Sequence, residues 1–192
     1  SLFGIKSNGT TLNTTAIQKA IDYIHENGGG RLVFYVGRYL TGSIELKSNV
    51  TIQLNEGAVL LGSTNPYDYR KIEGTWLGLI LANGAEKLTN SFFDAADDAI
   101  CLKSHDPNSI CQNVEISHCV ARSSASGVKF GTASRGGFRN VKLTNIKVYD
   151  TYRSALAFEA VDGGVVENVT VDSLSSYNTG NVIFFRIGER YQ

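Results

Sequence analysis

Methionine is absent from the 192 residues, proline occurs only twice and cysteine three times. The missing methionine, at position 1 included, points to a mature or excised form. Three cysteines, Cys101, Cys111 and Cys119, cannot pair completely within one chain, and none has the C-x-x-C spacing of a zinc site. Redox compartment is left open by this count. No charge of one sign prevails: 18 basic residues meet 18 acidic ones. That balance argues against a nucleic-acid partner and against a like-charged disordered tail. No apolar run approaches the ~20 residues of a membrane span, and Ser1-Leu2-Phe3-Gly4 does not open a signal peptide, so no membrane partner is expected. No cluster has metal-ligand spacing, and neither a metal nor another cofactor is expected. What the chain does have is glycine, 20 residues of it. With so little proline, this composition describes many tight turns between short strands.

Those strands repeat. Asn-Val occurs at Asn49-Val50, Asn113-Val114, Asn140-Val141 and Asn168-Val169, the last three 27 and 28 residues apart. Each of these three opens an alternating run. Lys-Leu-Thr-Asn occurs at 87–90 and again at 142–145, two periods on. One column then reads Leu88, Ile116, Leu143, Val171. A second strand per period begins at Ile100, Val128, Leu156 and Ile183. Short alternating strands bury one face, which a single period cannot do alone. Stacking periods about 4.8 Å apart gives each strand a neighbour and closes a continuous core. A β-sandwich would need no such fixed period. The expected fold is therefore all-β: a right-handed parallel β-helix, a solenoid of 27–28-residue rungs, as a single domain over 1–192.

Residues 1–30 read as a cap, with an amphipathic helix over about 14–27, and the rungs occupy 31–192. Ala16, Ile17, Ala20, Ile21 and Ile24 share one helix face; Asn13 or Thr14 can cap it and Gly28 can end it. Such a helix covers a first rung that would otherwise expose its edge and core. Strands are expected at 31–36, 42–46, 50–54 and 58–61, with Gly37 and Gly57 supplying turns. The chain stops after a rung strand with no evident cap. End-to-end self-association through an open last rung, or excision from a longer protein, is expected.

The densest acidic cluster is Asp94-Ala95-Ala96-Asp97-Asp98. Adjacent carboxylates repel, which suits one to act as general acid and its neighbour as base. An isolated Asp-Asp is more often a turn element that bonds nearby backbone N–H groups. Here the context matters. Asp97-Asp98-Ala99-Ile100-Cys101-Leu102-Lys103-Ser104 resembles the Asp-Asp-Cys-Ile-Ala-Ile-Lys-Ser motif of the polygalacturonase family, glycoside hydrolase family 28. Phe3-Gly4, the run from Asn13 to Ile21 and Gly28-Gly29-Gly30 resemble that family's cap. Tyr39 to Ile44, Leu46 to Thr51 and Gly57 to Leu60 resemble its first rungs.

The resemblance implies an inverting hydrolase of α-linked galacturonan, the acidic backbone of pectin, secreted or periplasmic. Asp97 would be the general acid, and Asp98 would orient and deprotonate the attacking water. The sequence also departs from the family. The Asp of an Asn-x-Asp motif one rung earlier is missing, and the chain resembles a family member with central rungs removed in register. Ser126 falls at the His of Gly-His-Gly, and Ala157-Phe158-Glu159 falls at Arg-Ile-Lys. Glu159 would repel galacturonate unless it pairs with Arg186. Lys129, Glu159 and Arg186 are expected to project outward near one cleft. Lys103, His105 and Arg153 complete the candidate substrate contacts. Phe92, Phe93, Phe130, Phe158 and Phe185 read as core ladders; Tyr149, Tyr152 and Trp76 are better placed to stack on a sugar. Two other functions compete with hydrolysis. One is a non-catalytic scaffold or glycan-binding module, suggested by the missing motifs. The other is a calcium-dependent pectate lyase, against which the Asp-Asp-Ala-Ile-Cys-Leu-Lys-Ser string argues.

Overall fold

The computed structural model describes residues 2–72, 75–76, 78–82, 87–89 and 91–190, the side chains at 72, 75, 76, 82 and 87 excepted. The stacking role expected of Trp76, and the stretch 83–86 that leads towards the repeats, lie outside the described residues. The protein is mostly β, with a solenoid of about four turns and an α-helix at its N-terminus. No helix is long and apolar enough to cross a membrane among the described residues. The chain falls into two compact units, Ser1–Ala85 and Glu86–Gln192.

In the first unit, α1 (Thr14–Glu26) buries Ile17, Ala20 and Ile21. Ile17 and Ile21 join Phe34, Tyr39 and Ile44 in one core. Four strands pair in parallel, β1 (Gly30–Phe34) with β4 (Val50–Leu54) and β2 (Gly37–Thr41) with β5 (Ala58–Gly62). β3 (Ile44–Leu46) pairs in parallel with β8 (Ile80–Ala82). β6 (Lys71–Ile72) and β7 (Thr75–Trp76) form a small antiparallel pair. The helix therefore lies on the rung core, as a cap must. Its N-terminus differs from expectation. Asn13 makes no side-chain cap; its amide instead binds the Lys6 backbone, accepting from Lys6 N at 2.8 Å and donating to Lys6 O at 2.9 Å. The Thr14 hydroxyl accepts from Gly42 N at 2.7 Å. Both candidate caps are spent on holding the N-terminal segment and the first rung together. Strand β2 was not expected, because Gly37 reads as a turn. Gly37 opens the strand at φ +145°, and a Cβ there would lie 2.6 Å from Ser7 Cβ. Only glycine allows that approach.

The second unit is built as the period predicts. Its strands are β9 (Lys87–Thr89), β10 (Phe92–Ala95), β11 (Ile100–Ser104), β12 (Cys111–Ser117), β13 (Val120–Ser123), β14 (Ser126–Ser134), β15 (Phe138–Ala160) and β16 (Val166–Ile187). All their pairings are parallel. Leu88, Ile116, Leu143 and Val171 stand in one register, and so do Ile100, Val128, Leu156 and Ile183. Both columns are those the sequence spacing gives. A third column, from Phe92 through Val120 and Lys147 to Ser175, lies between them. The long strands turn corners at left-handed residues: Asn140 (φ 53°), Asn145 (52°) and Asp150 (48°) in β15, and Asn168, Ser173 and Asn178 in β16. The recurrent Asn of Asn-Val is thus a corner residue. Asparagine tolerates this backbone better than most side chains. Its amide also continues the ladder, Asn140 donating to Asn113 at 3.1 Å and Asn168 to Asn140 at 3.2 Å.

Phe130 and Phe158, both buried, and the more exposed Phe185 stack with centroids 4.7 and 4.8 Å apart, and Phe138 meets Phe130 edge-on. Phe93 packs partly buried against the same core. Phe92 does not. It is 48% exposed and stacks outside on Tyr149. In an alternating strand, adjacent residues face opposite sides, so Phe92 and Phe93 cannot both be core.

Candidate active site

Asp97 and Asp98 occupy the turn between β10 and β11. Asp97 is exposed, and its Oδ1 accepts the Asp98 backbone N–H at 2.9 Å. Its carbonyl accepts from the Ser123 hydroxyl at 2.6 Å, which ties the turn to the next rung. Asp98 faces inward. Its Oδ1 accepts the Ser126 N–H at 3.1 Å and its Oδ2 lies 3.0 Å from Lys129 Nζ. Among the described residues, Asp97 pairs with no cation. Neighbours in sequence, the two carboxylates have different surroundings.

Lys129 was expected to project outward beside a cleft. Instead its side chain is only 8% exposed. Strand alternation does point it away from the core of Val128 and Phe130, but the Asp98 turn covers it. Its ammonium also lies 3.3 Å from Glu159 Oε1, so one cation joins two carboxylates. Burial pulls the Lys129 pKa down, yet Asp98 and then Glu159 outweigh it and hold the group above the ordinary lysine value. Glu159 would repel galacturonate unless it paired with Arg186 one rung on, and the two do stand in register. The carboxylate nevertheless turns to Lys129, and no Glu159–Arg186 ion pair is present among the described residues. In the buried position the ammonium has two anions to satisfy, whereas Arg186 is exposed and hydrated.

The bridging geometry also bears on chemistry. An inverting pair of carboxyl groups stands roughly 6.5–9.5 Å apart to admit a water. Asp98 Oδ2 and Glu159 Oε1 lie at 3.0 and 3.3 Å from one nitrogen, so the Lys129 ammonium fills the space between them that a water would need. Glu159 is therefore not a substitute for the missing third Asp in partnership with Asp98.

Ser126, expected from the sequence to fall at the His of Gly-His-Gly, is buried, and its hydroxyl has no hydrogen-bond partner among the described residues. Cys101, in register with Lys129, donates to the Gly131 carbonyl at 3.1 Å, and burial pushes its thiol up to about 11. It is no nucleophile at neutral pH. Lys103, His105, Arg153 and Arg186 are all exposed. The structure thus brings Asp98, Lys129 and Glu159 into one cluster and leaves the other four on the surface. The sequence offered Arg186 as a partner that could neutralise Glu159; the structure supplies Lys129. The signal available was that Lys129 lies one rung before Glu159 and two residues out of register, a gap a lysine side chain can span.

No family model matches the chain. A stretch of 67 residues, 35% of the chain, is 51% identical to an exo-poly-alpha-D-galacturonosidase of Dickeya chrysanthemi, of which it covers 11%. A stretch of 64 residues is 42% identical to a polygalacturonase, provisionally assigned, of Vitis vinifera, covering 13% of it. The match thus spans about a tenth of the length of these relatives. Among solved structures, a provisionally assigned glycosyl hydrolase of Parabacteroides merdae is 28% identical, with a TM-score of 0.50 over 94% of this chain and 95% of that one. A family 28 exopolygalacturonase of Yersinia enterocolitica shares the fold, with a TM-score of 0.50 over 94% of this chain and 48% of that one, at 19% identity.

Proposed function

We propose, on the premise that the chain is a member of the polygalacturonase-like family, that it hydrolyses α-linked galacturonan with inversion. The observation that carries this reading is the contrast between Asp97 and Asp98. Asp97 is exposed and pairs with no cation among the described residues, which leaves its carboxyl open to a leaving glycosidic oxygen. Asp98 is held by an ammonium and a backbone N–H, as suits a partner that orients water. Exposed Lys103, His105, Arg153 and Arg186 would meet the substrate's carboxylates. An acidic polysaccharide outside the cytoplasm, met by a secreted or periplasmic protein, is the matching partner.

A specific observation favours a second reading, a non-catalytic scaffold or glycan-binding module. Both oxygens of Asp98 are already engaged within the protein, and Lys129 joins it to Glu159. On this reading the network fastens the turn to the rungs and takes no part in catalysis. Incubation with polygalacturonate, measuring reducing ends, separates the two. Hydrolysis requires release that falls by at least about a hundredfold in Asp97→Asn, in line with loss of general acid catalysis. Release no greater than that of the variant leaves the scaffold.

A further inference from the structure

A groove of about 690 Å³ runs across the rungs of the second unit, lined by neither member of the Asp97–Asp98 pair nor by Lys129. One of its walls is a column with a spacing of 28 residues: Asp94, Arg122, Asp150 and Asn178. Arg122 clamps Asp94 with two bonds, Nε to Oδ1 at 3.1 Å and Nη2 to Oδ2. One rung on, Asn178 Nδ2 donates to Asp150 Oδ1 at 2.7 Å. Each pair fixes its partners across a rung and leaves atoms over. Arg122 keeps further N–H donors, Asp150 keeps Oδ2, and Asn178 keeps its carbonyl oxygen. The left-handed backbone at Asp150 and Asn178, φ 48° and 51°, sets this wall at a corner of the solenoid. Tyr152 lines the groove with 81% of its surface exposed.

An aromatic face beside an alternation of fixed donors and acceptors is what a pyranose ring needs. The apolar ring face covers an aromatic side chain, and adjacent hydroxyls bond the polar wall. The volume lies within the ~300–1,000 Å³ of small-molecule sites. Charge narrows the ligand further. Two carboxylates face one guanidinium, which Asp94 already holds, and Asp150 bonds an uncharged amide. A ligand carboxylate would find an anion there without a spare cation. We infer that this groove binds an uncharged saccharide unit with vicinal hydroxyls, separately from any galacturonan bound at Asp97.

The test is a titration of the 192-residue chain with galactotriose and, separately, with trigalacturonate. NMR of 15N-labelled protein follows the backbone amides at 122–124, 150–152 and 178–180. Tyr152→Ala and Asp150→Asn are the variants; both sites are exposed, and asparagine suits the left-handed backbone at 150. Galactotriose should shift these amides, and each variant should weaken its binding about tenfold. Trigalacturonate should leave the amides at 150, 178 and 179 unmoved, since it is 122–124 and 152 that adjoin Asp97 and Arg153. The inference is overturned if galactotriose shifts none of them, if its affinity is unchanged in both variants, or if trigalacturonate shifts them equally. Galacturonan turnover can fail without touching this result, because the groove shares no residue with the proposed catalytic pair.

Discussion

Lys129 joins two carboxylates from a position that strand alternation turns away from the core. Removing one member of a buried ionic cluster leaves the other charges uncompensated, at a cost of about 3–5 kcal/mol. Lys129→Met should lose stability of that order in urea unfolding, and a loss below about 1 kcal/mol would mean that water screens the cluster. The pH dependence follows from the raised lysine pKa. A group raised on folding contributes fully below its unfolded pKa, about 10.4 for lysine. The contribution then fades as pH rises through the folded value. The stability gap between the wild-type chain and Lys129→Met should thus be constant at neutral pH and narrow above about pH 10.4. The nearness of Lys129 to Glu159 was legible in the sequence, but the burial of Lys129 was not. Alternation gives the direction of a side chain but not what covers it, and the Asp98 turn that buries Lys129 comes from 31 residues earlier in the chain. The Asn-Val repeats were legible as spacing, but their reason is conformational. Asn49, Asn113, Asn140 and Asn168 all stand at positive φ, between 53° and 63°.

Among the elements, β16 differs from the rest. The rung before it is buried at Leu156 and Phe158, whereas in β16 Ile183, Phe185 and Ile187 are 49, 64 and 83% exposed. These are the continuation of the core columns, so their exposure is a matter of place and not of composition. A strand with an unpaired edge and an apolar face is a template for another. We expect the 192-residue chain to self-associate end to end, seen in light scattering as a mass that rises with concentration. Phe185→Lys should return it to monomer by placing a charge in that face. A wild-type chain that stays monomeric at high concentration contradicts the expectation. Strand positions were readable wherever alternation ran unbroken, as in the columns beginning at Leu88 and Ile100. They failed where glycine began a strand, as at Gly37, and where two adjacent aromatics competed for one face, as at Phe92 and Phe93.

For the whole molecule, repetition and chemistry were unequally readable. A solenoid rung touches only its neighbours, so a 28-residue spacing along the chain becomes a direct contact, as Arg122 to Asp94 and Asn178 to Asp150 show. That makes the fold legible from spacing alone. The site depends instead on which side chain reaches across rungs and out of register, and Lys129, Glu159 and Arg186 could be matched in more than one way. On the proposed function, the chain cleaves galacturonan with Asp97 as acid. Proton NMR of the chain mixed with polygalacturonate tests it most directly, by following the anomeric signals of new reducing ends. They should appear first in the β configuration, inverted from the α linkage, and Asp97→Asn should abolish them. New ends that appear first as α, or no new ends beyond those seen with Asp97→Asn, would contradict it.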